Sequence, residues 1–124
     1  MHNENRSDLV DLDRSGIPGY LDFAVSVDGQ DEVATVTVTG DLDCYSAATL
    51  RTILWALVDD RLHRVVVDLG GTNFIDSTGL GVLVGGARRF RQAGGDMVLR
   101  SPTPATRRLF EITGVTKLFE IVYV

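Results

Sequence analysis

Between residues 21 and 39 hydrophobic and polar positions alternate in steps of two. Leu21, Phe23, Val25 and Val27 are separated by Asp22, Ala24 and Ser26, and the β-branched run VATVTVT at residues 33–39 keeps the same period, the signature of two half-buried strands. Asp28-Gly29 favours a turn and Gly40 closes the second segment, so an antiparallel hairpin with a loop of several residues is expected. From Ser46 the period changes. Ala47, Leu50, Ile53, Leu54, Leu57 and Val58 recur at three- and four-residue steps, which predicts a helix that Ser46 can cap. RVVVDL at residues 64–69 is too short for a helix and reads as a central strand covered on both faces. After the loop GGTNFID, residues 77–93 are again helical by period, stopped by Gly94-Gly95. DMVLR at 96–100 is the next strand. Thr103-Pro104 opens a third helix as N-cap and first-turn proline, with Leu109 and Ile112 facing inward and Gly114 stopping it. Residues 119–124 complete the set as a final strand.

Strand, strand, helix, strand, helix, strand, helix, strand predicts one α/β domain: a mixed sheet with a hairpin followed by right-handed βαβ crossovers, helices packed on the sheet. Residues 1–19 are polar and end in Gly16, Pro18 and Gly19, the composition of a flexible N-terminal tail. The domain is expected to occupy residues 20–124.

The helix from Ser77 carries the candidate chemistry. At 100° per residue, Leu80, Leu83, Val84, Ala87 and Phe90 share one face, taken as core, while Thr78, Val82, Gly85 and Arg89 share the other, with Gly81 and Gly86 on its flanks. Each interior glycine costs a helix about 0.5–1 kcal/mol relative to alanine, so something should offset Gly79, Gly81, Gly85 and Gly86. Gly79 turns toward the core and can let the helix lie close on its sheet. Gly81 and Gly85 point outward, where a missing side chain lets another protein approach. Ser77 follows Asp76 at the helix start. Its hydroxyl can serve as a cap, and the free first-turn amides and positive helix end would equally stabilise a phosphate there. That group adds about −1.5 to −2 charge beside Asp76, enough to expel a docked partner.

Composition removes other function classes. With 44% hydrophobic and 23% charged residues the chain can bury a core, and its longest run without Asp, Glu, Lys or Arg is eleven residues, 77–87, well short of the roughly 20 that cross a bilayer. The first sixteen residues lack the apolar stretch of a secretion signal, and a cytoplasmic location is expected. Net charge is −5, with no basic run longer than Arg88-Arg89, which argues against nucleic acid as a direct partner. Cys44 is the one cysteine; it can form no internal disulfide and is expected to be a partly buried thiol, with a redox-sensitive contact as the other reading. His2 and His63 lie apart, and Asp41, Asp43, Asp59, Asp60 and Asp68 read as solvated loop ends, so no metal is assigned. Ile75 occupies the position where a hydrolase elbow needs glycine before Ser77. In GLGVLVGG, Val84 stands where GxGxxG needs its third glycine, and no GK[ST] follows. Neither catalysis nor a bound cofactor is expected.

The stretch VVVDLGGTNFIDSTGLGVLVGGARRFRQAGGDMVLRSPTPATRRLFEITGVTKLFEI resembles the STAS domain of bacterial anti-sigma factor antagonists, and GDLD at residues 40–43 matches that family's motif after its second strand. The likeness covers about residues 21–124. It implies a non-enzymatic partner switch: the unmodified protein binds an anti-sigma factor that is also a serine kinase, freeing a sigma factor, and phosphorylation ends the binding. By the same resemblance Ser77 matches the phosphoacceptor, Asp76 its acidic neighbour, and Asp41 and Asp43 the adjoining loop; a serine phosphatase restores Ser77, and ATP belongs to the kinase. The helix projection adds Thr78, Gly81, Val82, Gly85 and Arg89 as contact candidates. Two other readings remain open: an unphosphorylated STAS scaffold of a signalling or transport assembly, and a weak nucleotide-binding module using residues 70–81.

Overall fold

The computed structural model describes residues 24–30, 32–59 and 64–123. The predicted tail, Leu21, Phe23, Asp60, both histidines and Val124 lie outside the described residues. Strand β1 (Ala24–Gln30) pairs antiparallel with β2 (Val33–Thr39), in a register running from Gln30 opposite Val33 to Ala24 opposite Thr39. The connection is therefore two residues, shorter than the expected loop, and Asp28 and Gly29 are strand residues facing Thr35 and Ala34. This register sets Val25 against Val38 and Val27 against Val36, all buried. Burial of those pairs outweighs the local turn preference of Asp-Gly. The turn falls instead at Glu32, whose φ of 67° supplies the left-handed backbone that a two-residue hairpin needs.

From β2 the chain advances one neighbour at a time. Helix α1 (Ser46–Asp59) leads to β3 (Arg64–Gly71), α2 (Ser77–Gln92) to β4 (Asp96–Arg100), and α3 (Pro104–Thr113) with a 3-10 turn (Val115–Lys117) to β5 (Glu120–Val122). The order is β1-β2-β3-β4-β5, with every pair after the hairpin parallel. Right-handed crossovers that always step in one direction place all helices on the same side of the sheet. A single core cluster accordingly joins Leu50, Leu54, Phe90 and Phe110 of the helices to Val36, Val65 and Val67 of the strands. The expectation that β3 is covered on both faces is corrected: its residues alternate between buried and half-buried. Its other face carries ion pairs between neighbouring strands, Arg100 with Asp68 at 2.8 Å and Arg64 with Asp96 at 3.1 Å. Asp68 is thus a paired strand residue, not a solvated loop end.

The third helix begins as expected. Thr103 Oγ1 accepts from the Thr106 N–H at 3.3 Å, Pro104 stands in the first turn, and Gly114 ends the helix at φ 79°. Its inward residues are Thr106 and Phe110, with Leu109 half-buried. Ile112, expected inward, is 76% exposed, because Phe110 rather than Ile112 continues the four-residue step from Thr106.

Candidate functional site

Two loops build the start of α2. After β3, Thr72 is buried; its hydroxyl donates to the Val38 carbonyl at 2.9 Å, and the Thr103 hydroxyl donates to the Thr72 carbonyl at 3.2 Å. This fixes residues 70–76 between the end of β2 and the start of α3. The loop after β2 then zips onto it. Gly40 N–H donates to the Gly71 carbonyl at 2.9 Å, Leu42 N–H to Phe74 at 2.9 Å, and Asp76 N–H to Leu42 at 3.1 Å, with Leu42 and Ile75 both buried beneath. The GDLD segment and the Asp76-Ser77 corner are thereby set side by side.

Gly79 makes this approach possible. A Cβ at that position would sit 2.6 Å from the Leu42 carbonyl oxygen and 2.8 Å from Leu42 Cγ, closer than real contacts come. The close approach expected of Gly79 is to this loop rather than to a sheet strand. Asp76 is the N-cap, its Oδ1 accepting from the Gly79 N–H at 2.9 Å, which corrects the assignment of that role to Ser77. The carboxylate reaches the third residue of the helix, as a cap acceptor must. Ser77 is left as the first helical residue, exposed, its hydroxyl without a hydrogen bond to the described residues.

Asp41 is exposed, whereas Asp43 is engaged. Its Oδ1 accepts from the Tyr45 and Ser46 N–H groups, both at 3.0 Å, while Ser46 Oγ accepts from the Asp43 N–H at 2.9 Å and donates to the Asp41 carbonyl at 2.7 Å. This reciprocal arrangement is that of a capping box, with Asp43 as acceptor for α1 and Ser46 answering it from inside the first turn; Ser46 alone had been expected to cap. The Ser46 amide holds the Asp43 carboxyl below its ordinary pKa. Asp43 therefore shapes the loop beside Ser77 more than it offers a free charge.

The outward face of α2 is turned from the one projected. Gly79, Val82, Leu83, Gly86, Ala87 and Phe90 are buried, and Leu80 and Val84 half-buried, so the inward direction lies about 70° from the projected one. Val82 is a core residue, not a contact candidate. Gly85 is not bare surface either: a Cβ there would meet Trp55 Cη2 of α1 at 3.2 Å. The cause is that α2 buries two sides, one on the sheet and one against α1, and the second is lined by glycines that a hydrophobicity projection counts as neutral. Ser77, Thr78, Gly81, Arg88 and Arg89 are exposed, and a Cβ at Gly81 would meet nothing within 4 Å. Two aromatics join this surface region, Tyr45 at 67% and Phe74 at 50% exposure; Tyr45 belongs to the conspicuous Cys44-Tyr45 pair after GDLD, and for Phe74 the signal is a large ring inside the GGTNFID loop. Cys44, the residue before Tyr45, is exposed, not partly buried. Among the described residues no group of three or more His, Cys, Asp or Glu is placed to hold a metal ion, and no helix is long and apolar enough to cross a membrane.

Comparison with known proteins gives a consistent result. The family model described as the STAS domain matches residues 24–123. The anti-sigma-B factor antagonist of Staphylococcus aureus is 30% identical over 101 residues, covering 82% of this chain and 94% of that protein. An anti-sigma factor antagonist from Mycobacterium paratuberculosis superposes with a TM-score of 0.75 at 29% identity, over 82% of this chain and 86% of its own. The Bacillus cell fate determinant SpoIIAA in its phosphorylated form shares the fold, with a TM-score of 0.65 at 20% identity over 79% of this chain and 90% of that one.

Proposed function

The chain belongs to the STAS-domain family of anti-sigma factor antagonists, and from that premise we propose that it is a partner switch controlled at Ser77. The unphosphorylated form binds an anti-sigma factor that is also a serine kinase and so releases a sigma factor. Transfer of the γ-phosphoryl group of ATP to Ser77 Oγ, with loss of the hydroxyl proton and of ADP, ends that binding. A serine phosphatase removes the phosphate and resets the protein. All of this takes place in the cytoplasm, and the chain acts as a regulator, not an enzyme.

The observation that carries the reading is the division of labour at the start of α2. Asp76 performs the capping, so the exposed Ser77 hydroxyl is not required by the fold. A phosphate there is tolerated by the positive helix end and its free amides. Its charge of about −1.5 to −2 would nevertheless join the acids Asp41 and Asp76, changing the potential of a surface otherwise made of Thr78, Gly81, Tyr45 and Phe74. The folded chain would change little while the docking surface becomes strongly more negative. The direct test is incubation with a serine-kinase anti-sigma factor and ATP, followed by mass spectrometry of the peptide containing Ser77. Phosphate at Ser77 supports the switch; phosphate elsewhere, or none with an active kinase, removes it.

A further inference from the structure

The seam between α1 and α2 ends in a second cluster, remote from Ser77. Trp55, the one tryptophan of the chain, is half-buried with its ring edge against Gly85. The guanidinium carbons of Arg89 and Arg51 lie over that ring, 4.5 and 5.6 Å from its centroid. Both arginines are exposed and, unlike Arg64 and Arg100, neither is ion-paired with a described residue. Beside them lies a cavity of about 350 Å³ lined by Ala48, Arg51, Thr52 and Trp55. In a chain of net charge −5 this is a local excess of cations that have no ion-pair partner among the described residues, gathered around an aromatic ring. The acids Asp41 and Asp76 stand at the opposite end of α2.

We propose that this cluster anchors an acidic segment of the anti-sigma partner, a carboxylate side chain meeting Arg51 and Arg89 while an apolar neighbour enters the cavity on Trp55. The proposal rests on the partner-switch reading for the partner's identity, and on the seam itself for its chemistry. A guanidinium stacked on an aromatic face is held in place with its N–H edge free, in the fork geometry that matches a carboxylate. Tryptophan and arginine are also the residues whose loss most often costs an interface its affinity. Ser77 and Arg89 are twelve helical positions apart, about 18 Å, roughly twice the screening length of about 8 Å at physiological salt. A phosphate on Ser77 therefore leaves this anchor charged and available, so the partner is repelled at one end of α2 and still attracted at the other.

Two probes test the anchor separately from the switch. The first is a synthetic helical peptide with glutamate and leucine on one face, compared with its glutamine counterpart, each titrated against the chain while Trp55 emission is followed. The acidic peptide is expected to change the emission saturably. The glutamine peptide, or the double variant R51Q/R89Q, should bind at least about tenfold more weakly. The second probe is the serine-kinase anti-sigma factor itself, where R51Q/R89Q should lose about the same factor in the Ser77 and the Ser77→Asp backgrounds. Equal affinity for both peptides, absence of any emission change, or an anti-sigma affinity unaffected by R51Q/R89Q would overturn the anchor. Loss of affinity in R51Q/R89Q with no effect of Ser77→Asp would leave the anchor standing and remove the switch.

Discussion

An alanine scan of the four α2 glycines separates packing from surface with a single kind of substitution. At Gly81 the added Cβ meets nothing within 4 Å, so Gly81→Ala gains only helix propensity and should stabilise the fold by about 0.5–1 kcal/mol. At Gly79 the same Cβ would lie 2.6 Å from the Leu42 carbonyl oxygen, an atom fixed by its bond from the Asp76 N–H. Overpacking of this kind costs about 1–3 kcal/mol, and after subtracting the propensity gain Gly79→Ala should destabilise by about 1–2 kcal/mol. Gly86→Ala would press on Met97 Cε at 2.7 Å and Leu54 Cδ1 at 3.1 Å, and Gly85→Ala on the tip of Trp55 at 3.2 Å; side-chain ends can move, so both variants should fall between the extremes. Urea unfolding reads the result as a midpoint shift at constant m. Gly79→Ala should unfold first and Gly81→Ala last, about 2 kcal/mol apart. A Gly79→Ala protein as stable as Gly81→Ala would refute the packing of the 40–45 loop on which the site is built.

Other substitutions probe individual contacts. Asp76→Ala should cost about 1 kcal/mol by loss of the N-cap, with Asp76→Asn close to the parent, measured by thermal unfolding. The folded-state pKa of Asp43 lies below the ordinary value of 3.8, so its ionised form favours the folded state at neutral pH. That contribution fades as pH falls from 3.8 through the lower folded value, and urea midpoints of Asp43→Asn should draw closer to those of the parent over the same window. Phe74→Ser and Tyr45→Ser should leave unfolding midpoints within about 0.5 kcal/mol of the parent and weaken anti-sigma binding several-fold by calorimetry. Unchanged affinity in both would exclude the aromatics from the docking surface.

The period-two runs and the three- and four-residue steps marked the elements because each strand and helix buries one face, and that burial is written residue by residue. The helix order and strand directions followed from connection rules alone. The hairpin turns at Glu32 and not at Asp28-Gly29, because Asp28-Gly29 is a local signal only, while the pairing of Val25 with Val38 and Val27 with Val36 is visible only once both strands are laid together. The inward face of α2 departs from its helical projection for a related reason: Gly85 and Gly86 pack against Trp55 and Leu54 of α1, and a residue without a side chain contributes no hydrophobicity to a projection. The capping of α2 by Asp76 instead of Ser77 depended on one residue of register, the difference between an occupied hydroxyl and a free one. The cluster of Trp55, Arg51 and Arg89 joins positions on two helices and has no linear signature.

The decisive measurement is the affinity of one serine-kinase anti-sigma factor for the chain with Ser77 unmodified and with Ser77 fully phosphorylated, the fold being monitored by circular dichroism. Tight binding that falls by orders of magnitude on phosphorylation, with the spectrum unchanged, is the expected result. Equal affinity for the two forms, or loss of binding accompanied by unfolding, would contradict it.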